Sequence, residues 1–256
     1  MHQARLSRED IRDLLLEEGR EVLLEEGFES ASSNLTFKRV FARLEKKTGI
    51  RLTNASVIKR VWENLADYQA DVLVAVARDE GRPEVGGAVD AIAALFVDLD
   101  LSTPESRIRA VQEVCRVGGA ASSNAIASSA NWSLWISVAA MANATTVADQ
   151  RLRIEAALME GYTHVYDFWS KNFTGLMELL GFRIRHPWTL AQFTMAVTAY
   201  SEGCSLRQRI SNHIEVVARP TGPNGEDQEW TLFAVGLEAL VNQFLEPEPE
   251  PKPRAS

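Results

Sequence analysis

At 256 residues, 46% hydrophobic and 24% charged, the chain is long enough to bury a substantial core and too apolar to default to disorder. Cys115 and Cys204 are its only cysteines, far apart and without a Cys or His at ligand spacing, which excludes a disulfide framework and a zinc site and fits a reducing cytoplasm. The formal charge of -8 is wrong for a uniformly basic nucleic-acid binder, so any such role must rest on a local basic surface.

The first residues pass straight into a charged helix, which is not the pattern of a secretory signal. Ile11, Leu14, Leu15, Val22 and Leu23 recur near helical spacing, Ser7 and Asp10 are spaced as a capping box, and Gly27-Phe28 ends the element. Its polar side is mostly acidic: Glu9, Asp10, Asp13, Glu17, Glu18, Glu21, Glu25 and Glu26. After a Ser/Asn-rich loop, Phe37, Val40, Phe41 and Leu44 follow the i, i+3, i+4, i+7 rule of a short amphipathic helix that stops near Gly49, with Lys38, Arg39 and Lys46 on its other side. A third helix is predicted from the N-cap Thr53, burying Val57, Ile58, Val61 and Trp62 and presenting Asn54, Ser56, Lys59 and Arg60.

Between Thr36 and Trp62 stand Lys38, Arg39, Arg43, Lys46, Lys47, Arg51, Lys59 and Arg60, opposed by Glu45 alone. Charge by itself favours the plainer reading, a solvated helical surface. The constellation says more, because amide and guanidinium groups near a helix N-terminus match base-edge donors and acceptors in a major groove. Thr36, Lys38, Arg39 and Thr53 have the hydroxyls, charges and helix-end positions that hold phosphates.

The segments Ile11 to Phe28, Leu35-Thr-Phe-Lys-Arg-Val-Phe, Gly49-Ile and Thr53-Asn-Ala-Ser-Val-Ile-Lys-Arg-Val-Trp, followed by Val72-Leu, resemble in order and length the N-terminal domain of TetR-type transcriptional regulators. The resemblance implies a helix-turn-helix whose third helix enters the major groove, with Asn54, Ala55, Ser56, Lys59 and Arg60 at the bases and Thr36, Lys38, Arg39 and Thr53 at phosphates. The sequence departs from the family at Ile58, where an aromatic is common, and at Glu45-Lys-Lys-Thr, which lengthens the second helix or its turn.

Further along, Tyr68, Val72, Leu73, Val76 and Ala77 form an apolar stripe that ends before Gly81-Arg-Pro. Helices are predicted over 87–99, 104–117, 122–142, 147–180, 190–211 and 230–245, with Pro104 at a helix start and Gly118-Gly119, Gly161, Gly175 and Gly181 as breaks or bends. No sheet is predicted. The stretch from Arg116 to Asp149 holds no charge between its ends, but its many Ser, Asn and Thr residues read as two closely packed helices and not a membrane span. The fold class is therefore all-α: a three-helix DNA-binding domain over 1–66, a helical effector-binding and dimerisation domain over 67–245, and an extended Pro/Glu tail over 246–256.

Thr194 to Arg207 and Trp230 to Leu245 resemble the last two helices of the same family, which implies a four-helix homodimer interface. Phe193, Val197, Tyr200 and Leu206, with Leu232, Val235, Leu237, Leu240, Val241 and Phe244, would supply either that interface or an intramolecular core. Among the aromatics between reader and dimer helices, Trp135, Tyr166 and Trp169 are the candidates for contact with a small apolar effector. His164 with Asp167, His186 and His213 come without a nucleophile motif, a phosphate loop or paired carboxylates, so neither catalysis, cofactor nor metal is expected. The expectation is a cytoplasmic, sequence-specific repressor that binds an operator in double-stranded DNA as a homodimer and is released by a ligand. A helical small-molecule-binding protein or a protein-interaction module without operator binding is the alternative.

Overall fold

A computed structural model describes residues 6–27, 35–57, 60–78, 86–144, 148–222 and 225–249, and the chain is mostly helical. In chain order the elements are α1 (Arg8–Glu26), α2 (Phe37–Thr48), α3 (Asn54–Val57), α4 (Leu65–Arg78), α5 (Gly86–Leu95), α6 (Pro104–Glu113), a π-helical turn (Val114–Gly118) and α7 (Gly119–Ser128). They continue with α8 (Ala130–Ala144), α9 (Ala148–Leu180), β1 (Phe182–Ile184), α10 (Leu190–Ser211), β2 (Val216–Arg219), β3 (Gln228–Thr231), α11 (Leu232–Phe244) and β4 (Leu245–Pro247). Two compact units result, one of Met1–Arg82 with Ala130–His164, the other of Pro83–Ser129 with Val165–Ser256.

In the first unit, α1 begins as its sequence dictates. The Asp10 amide donates to the Ser7 hydroxyl at 3.0 Å while the Ser7 amide donates back to the Asp10 carboxylate at 2.8 Å, and these bonds hold the Asp10 carboxyl below its ordinary pKa. Ile11, Leu15, Val22 and Leu23 enter a core shared with Val40 and Leu44 of α2, Val57 of α3, Tyr68 and Val72 of α4, Trp135 and Val138 of α8 and Ile154 of α9. α1 and α4 lie tightly against one another. The Tyr68 hydroxyl donates to the Leu15 carbonyl at 2.8 Å, and a Cβ on Gly19 would lie 2.5 Å from that hydroxyl and 2.7 Å from Val72.

In the second unit the core runs from Ala110 and Cys115 through Leu180, Phe193 and Val197 to Trp230, Ala234, Val241 and Phe244. Burial pushes the Cys115 thiol up to about 12, so it is an inert packing residue. One charged group lies deep in this unit. Glu238 accepts from Arg219 at 2.5 Å and from the Gln112 amide at 3.0 Å, and the Arg219 guanidinium also lies 4.3 Å above the ring of the fully buried Trp230.

Several predicted boundaries move, each for a packing reason. The chain does not break at Gly118-Gly119 but runs on through the π turn, and the absent side chain of Gly118 makes room for a neighbour: a Cβ there would meet Ile92 at 2.6 Å. The interruption falls at Ser129, which is extended. Gly161 and Gly175 lie inside one continuous helix, α9, while Gly181 ends it with a left-handed φ of 71°.

Two short antiparallel pairs, β1 with β4 and β2 with β3, stand where no sheet was expected; at three or four residues each, they are too short to print an alternating pattern. Residues 228–231 are therefore strand, and the final helix starts only after its N-cap Thr231. The beginning of the expected tail is held as well, through β4, an Arg183–Glu246 ion pair at 2.7 Å and the Glu248 amide on the Gly181 carbonyl at 2.9 Å. The Ser/Asn-rich loop from residue 28, the Gly81-Arg-Pro break and residues 250–256 lie outside the described residues.

The two kinds of glycine separate in a melting experiment. Gly19→Ala should lower stability by about 1–3 kcal/mol because Tyr68 is enclosed and cannot swing away. Gly175→Ala, which meets nothing within 4 Å, should raise it by roughly 0.5–1 kcal/mol.

Candidate nucleic-acid interface

The short amphipathic helix α2 is the element around which the site is built. Thr36 caps its start by accepting from the Arg39 amide at 3.4 Å, and Gly49 closes its end with a φ of 75°. Phe37, Val40, Phe41 and Leu44 are buried as their spacing requires. Ile50 to Thr53 lead into α3, which the described residues show over Asn54–Val57; beyond the two residues that are not described, the Val61 and Trp62 amides reach back to the Val57 carbonyl, at 2.8 and 3.4 Å.

The basic residues of α2 are not all available to a ligand. Arg43 forms a two-pronged bond to Glu25 at 2.7 and 2.8 Å, which holds the Glu25 carboxyl below its ordinary pKa. The Lys47 ammonium meets Glu21 at 2.7 Å and Glu18 at 3.1 Å, bonds that raise its pKa, and Arg39 pairs with Glu26. Glu18 is 3% exposed. It occupies the same face of α1 as Ile11, Leu15 and Val22, and a carboxylate in an apolar stripe requires a cationic partner from the neighbouring helix. Arg51 makes only a loose pair with Glu45 at 3.6 Å.

Lys38, Lys46 and Arg60 remain exposed, and among the described residues none of them enters an ion pair. Thr53 and Asn54 are exposed at the start of α3. Ala55 and Ser56 lie within α3, although their side chains are outside the described set; Ile58 and Lys59 lie outside the described residues altogether.

One carboxylate that the sequence did not single out organises the surroundings of α3. Asp71 of α4 accepts from the Trp62 indole at 2.9 Å, from Arg12 of α1 at 3.1 Å, and from Arg153 of α9. Burial pushes the Asp71 carboxyl upward, but the bonds from Trp62, Arg153 and Arg12 outweigh it and leave the group below its ordinary value. Trp62 is 5% exposed and packs against Phe37 and Tyr68 with centroid distances of 6.4 and 4.9 Å. The clue in the sequence was faint: a lone Asp within the apolar run from Tyr68 to Ala77.

The aromatic effector candidates divide between the units. Trp135 is 3% exposed in the first, with its indole donating to the Ala77 carbonyl at 3.1 Å and its ring edge-on to Tyr162. Tyr166 and Trp169 belong to the second and are half-buried; Trp169 stacks on Phe173 at 5.5 Å and meets Phe168 edge-on at 5.3 Å. Among the described residues no cluster of His, Cys, Asp or Glu could hold a metal ion, and no helix is long and apolar enough to cross a membrane. No protein-family model matches this sequence, and no curated protein does.

Because its folded pKa is depressed, Asp71 contributes stability that is complete above its unfolded value of roughly 3.9 and disappears as pH falls through the folded one. Urea melts of the wild type and Asp71→Asn should therefore differ most from pH 7 down to about 5, with the gap closing below about pH 4. A gap that stays constant down to pH 3 would mean that the charge of Asp71 contributes nothing.

Proposed function

We propose that the chain is a sequence-specific DNA-binding transcriptional regulator of the TetR type, acting as a homodimer and released from its operator by a small apolar ligand. The observation that carries this reading is the division of charge on α2 and α3. Arg39, Arg43 and Lys47 are neutralised by the acidic side of α1, whereas Lys38 and Lys46 on α2, Thr53 and Asn54 at the start of α3 and Arg60 after it stand exposed. Such a surface suits a duplex: lysines and a capping threonine for the backbone, and an amide and a guanidinium for base edges.

Dimerisation is assigned to α10. Met195, Ala199, Gly203, Leu206 and Ile210 follow i, i+4, i+8, i+11, i+15 and are exposed, Ile210 to 78% and Met195 to 66%. The small residues at the middle of the stripe allow a second helix to come close, and a second copy offers the same stripe across a two-fold axis. Phe193 and Val197, by contrast, are buried in the unit's own core. For the ligand, Tyr166 and Trp169 are the aromatic candidates with surface to offer.

The mechanism is then one of spacing. Two recognition helices occupy successive major grooves roughly 34 Å apart, and a ligand that binds the mis-spaced state more tightly empties the operator.

Selection from randomised duplexes, followed by binding over a salt series, tests the function. A palindromic site with steep salt dependence is expected, and Lys38→Ala with Lys46→Ala should flatten the log–log slope by about 1 per lysine, while Arg60→Ala lowers affinity for the selected site. No enrichment and no binding at low salt would refute the reading in favour of a ligand-binding or interaction protein. Separately, light scattering should find a dimer that Gly203→Glu converts to a folded monomer; a monomeric wild type would remove the assignment of α10.

A further inference from the structure

Three segments of the first unit meet at a single carboxylate, and one of them carries the end of the candidate recognition region. The Trp62 indole is a donor only, enclosed at 5% exposure, and its Nε1–H is bonded to Asp71 Oδ2. The Trp62 backbone is joined to α3 through the Val57 carbonyl, so the seat of this ring fixes where the turn after α3 lies. Arg12 shares Oδ2 at 3.1 Å, and Arg153 holds Oδ1. Arg153 is half exposed and lies on the first turns of α9, whereas the Asp71 side chain is 13% exposed.

We propose that Asp71 is a positioning residue that couples α9 to the turn after α3, because its carboxylate binds Arg153 and Trp62 at once. With Arg153 in place, the carboxylate is held between guanidiniums on both sides and presents Oδ2 to the indole. When Arg153 withdraws, Oδ1 is released and, among the described residues, Arg12 and the Trp62 indole hold the carboxylate through Oδ2 alone, so the carboxylate is free to pivot about that oxygen and the acceptor of Trp62 is no longer fixed in place. A buried indole N–H keeps its acceptor, so the ring follows Oδ2 as the carboxylate pivots and the turn attached to it readjusts. Any event that moves the start of α9 is thereby read at Asn54 and Arg60. This regulatory role rests on the DNA-binding reading above; the coupling between Arg153 and Trp62 does not.

The test uses the full-length chain with 15N-labelled tryptophan, in which the Trp62 indole resonance is assigned by its loss in Trp62→Phe. Arg153→Ala should shift that resonance, Arg153→Lys should restore much of its position, and Arg153→Ala should add little to Asp71→Asn, since both remove the same charge pairing. Affinity for the selected duplex should fall five-fold or more in Arg153→Ala, the lower end of typical coupling between sites. Thermal stability should hardly change, as expected for a half-exposed ion pair. An unshifted Trp62 resonance in Arg153→Ala overturns the coupling, whatever the duplex does. A shifted resonance with no duplex binding by the wild type upholds the coupling and overturns the DNA reading instead.

Discussion

The first unit depends on how closely α4 lies against α1. Tyr68 is fully enclosed, its phenol raised well above the ordinary pKa by burial, and its hydroxyl has one place to donate: the Leu15 carbonyl across from it. That bond forms only because Gly19 has no side chain. Once α4 is fixed at this separation, its neighbouring residues take their stations. Ala77 receives the Trp135 indole and closes on Gly161, where a Cβ would be 2.9 Å from its carbonyl, and Asp71 lies within reach of α1, the end of the α3 turn and α9. The aromatic group of Phe37, Trp62 and Tyr68 fills the space between. A hydrogen bond in an apolar enclosure is here a positional constraint more than a source of net stability.

Charge has the second organising role. The acidic side of α1 and the basic side of α2 are complementary, so the basic excess counted along the chain overstates what an external ligand meets. Glu18 shows why. A carboxylate at 3% exposure cannot be left alone, and Arg43 and Lys47 are committed to it and to its neighbours Glu21 and Glu25. Lys38, Lys46 and Arg60 lie outside this network, and Arg51 makes only its loose pair with Glu45.

The helical architecture was legible because its signals are periodic. The capping box at Ser7, the four-residue apolar pattern of α2, Pro104 at the start of α6 and the ends at Gly27 and Gly49 were all readable one residue at a time. What escaped was non-local. The strands β1 and β4 are more than sixty residues apart, and neither has a pattern until its partner is beside it. The glycines were read as breaks because a sequence shows their freedom but not the neighbour that needs their absent Cβ. Trp135 and Asp71 make a related point: an aromatic on a helix advertises a wall without saying whether its indole is already bonded, and a single aspartate gives no hint of three donors arriving from distant segments. Phe193 and Val197 face inward while Met195, Ala199 and Gly203 face out, a matter of rotation about α10 that apolar composition alone does not decide.

The π turn at Val114–Gly118 has its own consequence. It is in effect an α-helix carrying one surplus residue, and each residue turns the helix by about 100°. The faces of α6 and α7 are thus out of phase with one another, and at the end of the turn Gly118 lies against Ile92 while Gly119 lies against Ala234. A single-residue deletion at this turn would leave two good helices but rotate one contact surface away from its partner, so the length of the chain here is under tighter constraint than the identity of most of its side chains.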